Sequence, residues 1–183
     1  FLSNFLKSSF DFSGDQWSAQ NLYTLGTRVK KTYIRVEADE VTYPLHIILR
    51  FNLEKMLINK TLKTKDIPDV WNLEYKKLFG IEIDNDSNGC LQDIHWYAGL
   101  MGYFPTYSLG ALTSAQFANT IRIELPELDK DIEQGNFQTL INWLQKNIHE
   151  KASFFSTNEI LEKVTNAPLN AKYFKEYITN RYL

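Results

Sequence analysis

IRVEADEVTYPLHIILRFNLEKMLINK, residues 34–60, decides the fold class. In its second half Leu45, Ile48, Leu49, Leu53, Met56 and Leu57 recur at three- and four-residue steps. That spacing puts side chains on one face of an α-helix. Pro44 lacks an amide hydrogen, and its ring clashes with the carbonyl four residues back. Either the helix begins near Pro44, or a longer helix is kinked there. The same period dominates on both sides. Upstream, Phe1 to Phe10 is amphipathic, and Asp15 caps a helix from Gln16 to about Lys30 with Trp17, Leu22 and Leu25 on its buried side. Downstream, Thr64 or Asp66 caps DIPDVWNLEYKKLF, and Gly80 is its stop. A long helix runs from about Thr106 to Gln134, interrupted or kinked at Pro126, and three more cover Phe137 to Glu150, Asn158 to Thr165 and Asn170 to Tyr182. Any strand lies around residues 81–97, a stretch that opens with the turn-rich IEIDNDSNG. The expected class is all-α with at most a minor β-hairpin or small sheet, in a single helical domain over residues 1–183.

Composition narrows the function. With 44% hydrophobic and 14% aromatic residues, the chain is too apolar to be disordered. A net charge of −2 argues against bulk nucleic-acid or anionic-membrane binding. The longest uncharged apolar stretch, near Leu45 to Leu49, is far too short to span a bilayer. One cysteine, Cys90, rules out an intramolecular disulfide and suits a reducing compartment. The chain opens and closes inside amphipathic patterns, so we expect a segment of a longer protein.

A zinc peptidase helix needs two histidines four residues apart with a glutamate base. His46, His95 and His149 are 49 and 54 residues apart, and none pairs at such spacing. Phosphate loops, dinucleotide fingerprints and nucleophile elbows are absent as well. The densest polar cluster is Gln92, Asp93, His95 and Trp96, inside CLQDIHWYAGLMGYFPTYSLGALTSAQF, residues 90–117. Asp93 and His95 are two apart, where a carboxylate can orient an imidazole. Such a histidine either donates to a substrate carbonyl or is satisfied by its neighbours in a turn, and the residues alone favour the turn. Tyr103 and Tyr107 share one helical face. They are either core residues with a hydroxyl at the rim or phenols that steady an oxyanion. Arg35, Glu37, Asp39 and Glu40 either form a solvated first turn, or Arg35 grips a carboxylate with its forked donors. Charge pattern leaves both readings open. The glycines at 99, 102 and 110 suit tight turns or close backbone approach.

Two stretches, YIRVEADEVTYPLHIILRFNLE and GCLQDIHWYAGLMGYFPTYSLGALTSAQF, resemble signature regions of the thermostable carboxypeptidase Taq family, cytosolic HExxH metallocarboxypeptidases. The pattern I/V-R-x-x-A-D falls on Ile34, Arg35, Ala38 and Asp39. The pattern G-x-x-Q-D-x-H-W falls on Gly89, Gln92, Asp93, His95 and Trp96, and GYFPTY falls on Gly102 to Tyr107. DIPDVWN, NWLQKNIHEKAS and EILEKVTNAPLNAKYF also resemble the family's C-terminal helices, so the likeness covers nearly the whole chain. Tyr97, Ala98 and Met101 depart from the usual residues, and a bulky Tyr97 would narrow a groove.

The resemblance implies the C-terminal part of a neurolysin-like and angiotensin-converting-enzyme-like helical peptidase, with residues 90–117 lining the groove. It implies removal of single C-terminal residues from peptides with broad specificity, a homodimer or other oligomer, a cytoplasmic location, and zinc or sometimes cobalt. Carried over, His95 would donate to the substrate backbone and Tyr107 would stabilise the oxyanion, with Tyr103 a weaker candidate. Arg35 would hold the terminal carboxylate. Gln92 and Asp93 stand with the substrate-binding set, and Asp39 and Trp96 support it from behind. The metal ligands would lie upstream, so this chain would bind no metal alone, would need the missing N-terminal part as partner, and would be inactive by itself. The alternative is a non-catalytic helical module for peptide binding or dimerisation, derived from such an enzyme.

Overall fold

The computed structural model describes residues 1–10 and 12–183. Among these residues the regular structure is entirely helical, with no strand. The chain clusters into two compact units, Arg28–Gly110 and Phe1–Thr27 with Ala111–Leu183, where the sequence reads as one domain. The physical reason is two separate buried clusters. One is built on Leu49, Leu53, Leu62, Trp71, Tyr75, Phe79 and Cys90, the other on Ile121, Leu128 and Trp143.

In the first unit, a helix spanning Tyr43–Ile58 (here α3, after α1, Leu2–Ser9, and α2, Ala19–Gly26) starts with Pro44 in its first turn. A proline is harmless there, because that amide has no intrahelical partner to lose. The start-or-kink alternative is thereby resolved. Asp39 prepares this start: its Oδ1 accepts from the amides of Val41 and Thr42, and its Oδ2 from Lys30. Leu49 and Leu53 are fully buried, but Ile48 is exposed; polar His46, Arg50 and Glu54 share the buried face instead. α4, Ile67–Phe79, packs against α3 and ends at Gly80 in the left-handed conformation. Its Trp71, Tyr75 and Phe79 recur every fourth residue and are buried, with the rings of Tyr75 and Phe79 stacked at 4.3 Å. Each such side chain stabilises the fold by roughly 1.5–3 kcal/mol. Residues 81–97 form turns rather than the small sheet allowed for above. Asn85 accepts the Asn88 amide through its side chain, and a Cβ on Gly89 would come within 3.1 Å of Ile83 and 3.3 Å of the Asn85 carbonyl. Such a crowded turn leaves no extended edge to pair.

In the second unit, the expected helix from Gln16 to Lys30 is replaced by a 3-10 turn, Asp15–Trp17, and then α2. Ser18 caps α2 by accepting the Asn21 amide, which restarts the helix. Leu25 is exposed, against expectation. α5, Pro105–Glu124, and α6, Leu128–Glu133, are separated at Pro126. α7, Gln138–Asn147, stops short of Glu150, where a 3-10 turn follows. α8, Thr157–Thr165, opens with a capping box between Ser156 and Glu159. α9 covers Lys172–Tyr182.

Candidate functional site

The predicted residues converge in the unit Arg28–Gly110. The 3-10 turn Arg35–Glu37 delivers Arg35, the turns of residues 90–96 deliver Gln92, Asp93 and His95, and the first turn of α5 delivers Tyr107. Asp93 is the hub. Its Oδ1 accepts from Arg35 Nε at 3.0 Å and Nη2 at 2.8 Å, and its Oδ2 accepts from Arg50 Nε at 2.6 Å. Gln92 ties the same two arginines together: its Oε1 accepts the Arg35 amide and Arg50 Nη2, both at 2.8 Å. The Gln92 Nε2 group donates to the carbonyls of Tyr33, Asn88 and Gly89.

Burial opposes the ionised form of Asp93, but the Arg35 hydrogen bond and the charges of Arg50 and Arg35 outweigh it and hold its carboxyl below the usual carboxylate range. Arg50, with no exposed surface, is pulled down to about 10 by burial against the attraction of Asp93, and so stays charged at neutral pH. For Arg35, burial is outweighed by Asp93, and its pKa is raised. The Arg35 guanidinium also donates to the Tyr43 hydroxyl at 2.6 Å. Its carbon lies 5.1 Å from the Tyr107 ring, 5.6 Å from Tyr43 and 5.7 Å from Phe104, within cation–π range.

His95 Nε2 and the Tyr107 hydroxyl share a hydrogen bond of 2.9 Å, whose direction follows the imidazole tautomer. The His95 ring is 4.4 Å from Phe104 and 5.7 Å from Tyr103. Tyr103 meets Tyr107 edge-on at 5.5 Å and is half-exposed. The orienting carboxylate expected from the two-residue spacing is not realised: His95 Nδ1 is 3.9 Å from Asp93 Oδ1, too far for a hydrogen bond. Two guanidinium groups, each donating through charge-assisted hydrogen bonds, outcompete the imidazole for that carboxylate. Nδ1 is buried without a protein partner.

Asp39 stands apart from this cluster, engaged by backbone amides ahead of α3, although burial alone would oppose its charge; those amides hold its pKa low. Trp96 supports the cluster from behind. Its ring meets Trp71 and Phe104 edge-on, and its Nε1 donates to Glu54 Oε1 at 2.8 Å. The same oxygen accepts the Gly102 amide at 3.1 Å, pinning the turn that leads into α5. Gly102 has φ +79°, a conformation that glycine adopts freely.

Sequence reasoning missed Arg50, Tyr43, Glu54 and His46. The signal was present: His46, Arg50 and Glu54 recur every fourth residue among the apolar residues of α3, and a polar stripe on a buried face needs partners. His46 has no exposed surface and neither ring nitrogen has a protein partner. Burial, then the positive charge of Arg50, lowers its pKa to about 4.

The sequence pattern of the family described as "Carboxypeptidase Taq (M32) metallopeptidase" matches residues 1–182. The chain belongs to this family. It is 37% identical over 178 residues to thermostable carboxypeptidase 1 of Pyrococcus furiosus, covering 97% of this chain and 36% of that protein. It is 39% identical over 153 residues to carboxypeptidase 1 of Bacillus subtilis, covering 84% of this chain and 30% of the relative. The solved structure of Trypanosoma cruzi metallocarboxypeptidase 1 matches with a TM-score of 0.94 at 36% identity, covering all of this chain and 38% of that one. The chain thus spans about a third of the length of the relatives it matches.

The family is one of metallopeptidases, yet among the described residues no three His, Cys, Asp or Glu side chains gather as a metal site. Asp93, 3.9 Å from His95, is held by two arginines. The donors among the described residues do not fit a catalytic metal. Among the described residues no helix is long and apolar enough to cross a membrane.

Proposed function

We propose that this chain is the C-terminal part of a zinc- or cobalt-dependent carboxypeptidase that releases single C-terminal residues from peptides with broad specificity. It contributes substrate-binding and oxyanion-stabilising groups, while the metal ligands belong to the part of the protein outside this chain. One observation carries the reading: the Tyr107 hydroxyl sits on His95 Nε2 at 2.9 Å with the Arg35 guanidinium beside its ring, in a chain of this family.

In this reading Arg35 receives the terminal carboxylate of the peptide. Three of its five N–H groups serve Asp93 and Tyr43, and the remaining two suit a planar anion. Tyr107 donates its hydroxyl hydrogen to the carbonyl oxygen as negative charge develops there. His95, protonated at Nε2, shares that N–H between the Tyr107 oxygen and the substrate backbone. Tyr103, its ring 5.7 Å from His95 and 5.5 Å from Tyr107, contacts the bound residue beside them. Gln92 and Asp93 hold Arg35 in place rather than touch substrate, since both Asp93 oxygens and both ends of the Gln92 amide already have internal partners. We further place the protein in the cytoplasm, as a homodimer or other oligomer.

The test is Tyr107→Phe in the full-length protein. Loss of one oxyanion donor should lower kcat by roughly 10²–10³-fold with metal content unchanged. An unaltered kcat would remove Tyr107 from the mechanism. The 183-residue chain assayed alongside, with zinc added, is expected to give no turnover.

A further inference from the structure

Asp93 neutralises one positive charge, but two arginines bind it. Arg35, Arg50 and Asp93 together keep a net charge of +1 in a site that is almost closed to water: the side chains are 7%, 0% and 11% exposed. Had Asp93 faced Arg35 alone, the pair would be neutral, and a second carboxylate arriving at Arg35 would find no net attraction. Arg50 cannot reach a ligand itself. Nε is on Asp93, Nη1 on the His46 carbonyl at 2.8 Å and Nη2 on Gln92, with Trp71 and Phe104 covering its faces at 4.7 and 5.3 Å. Asp93 is the acid that acts most strongly on Arg50. His46, with its pKa near 4, is neutral at neutral pH, and the Glu54 carboxyl group bonds Trp96 and Gly102 rather than either arginine.

We propose that Arg50 is a positioning residue for substrate: by sharing Asp93 it leaves Arg35 with the uncompensated positive charge that selects a peptide's terminal carboxylate. This rests on the reading that Arg35 receives that carboxylate. Both ionic partners of Asp93 are needed for different reasons. Arg35 supplies the donors at the surface of the site, and Arg50 supplies the charge from behind. At low local dielectric such a charge is felt strongly over one carboxylate's width.

The experiment compares binding of acetyl-Ala-Ala and its C-terminal amide to the full-length protein, stripped of metal so that neither is hydrolysed, by calorimetric titration. Arg50→Met makes the cluster neutral, and the carboxylate-over-amide preference should fall about tenfold or more. Asp93→Asn, which keeps an oxygen for Arg35, raises the cluster to +2 and should strengthen the preference. The double variant Arg50→Met/Asp93→Asn returns to +1 and should recover the preference to within about threefold of the parent. A purely structural Arg50 would give losses in all three, with no reversal of sign, and that result overturns the proposal. If Arg50→Met cannot be purified, Asp93→Asn and the double variant decide: a preference unmoved by the first or lost in the second overturns it. Arg35→Met separates the two layers. If it abolishes the preference while the charge series has no effect, only the role of Arg50 falls. If it leaves the preference intact, the carboxylate is held elsewhere, and the Arg35 reading falls together with this one.

Discussion

Asp93 and Gln116 are both buried polar hubs, and they differ in what they leave over. Gln116 has no exposed surface. Its Nε2 group donates to Thr165 Oγ1 and to the carbonyls of Ala167 and Pro168, while its Oε1 accepts the Asn170 amide. Every partner is neutral and every valence is filled, so the side chain ties α5 to the segment after α8 and has nothing further to offer. The Asp93 cluster is charged and incompletely matched. Arg35 retains two N–H groups, and His95 Nδ1 has no protein partner. A closed neutral knot is what stability alone requires; unmatched donors beside an unbalanced charge mark a place built for something that arrives later.

Breaking the hubs one at a time tests this contrast. The largest effect is expected at Asp93→Ala. It leaves two buried guanidinium groups facing each other without a counter-ion, a loss of about 3–5 kcal/mol. Chemical denaturation would read it, and a loss below about 1 kcal/mol would mean that the arginines find water or another acceptor.

Next comes His46, which lies behind the charged hub. Its pKa falls from 6.5 in the unfolded chain to about 4 when folded, so the folded state binds fewer protons between those values. Stability is then fully present above pH 6.5 and is lost as pH drops from 6.5 toward 4, by about 3 kcal/mol in all. The Tm of His46→Leu, followed over that range, should vary less steeply with pH than that of the parent. Equal slopes would mean that the imidazole becomes protonated inside the fold without penalty.

The smallest effect is expected at Gln116→Leu, which strands the Asn170 amide at a cost of about 1–3 kcal/mol. A melting curve reads this as a lower Tm. Because the knot is closed, the carboxylate-over-amide preference at Arg35 should not move, and a change there would show that Gln116 is more than a tie.

The two hubs were unequally legible in the sequence. Local rules found α3, narrowed Pro44 to a start or a kink, and found the stop at Gly80 and the break at Pro126, because each depends on residues a turn apart. The meeting of Arg35, His95 and Tyr107 came from the family resemblance, since no short-range pattern joins residues that far apart. Arg50 and Glu54 escaped because the periodicity of α3 was read through its apolar members, which placed Ile48 inside and ignored the polar stripe beside Leu49 and Leu53. The partner of Arg50 lies 43 residues away, and only the folded chain reveals it. The near neighbours Asp93 and His95 misled in the opposite way: proximity in sequence suggested a pair, while two arginines from elsewhere made the stronger bonds.

The oxygen of Glu54 that holds both the Trp96 indole and the Gly102 amide has a consequence for what this chain can tolerate. It fixes the span between an anchored ring and the entry to α5 as a tether of set length. Adding or deleting one residue between Gly102 and Tyr107 would turn the phenol by roughly 100° about the helix axis, away from the imidazole. Along that tether the count of residues is as constrained as the buried Phe104 ring within it.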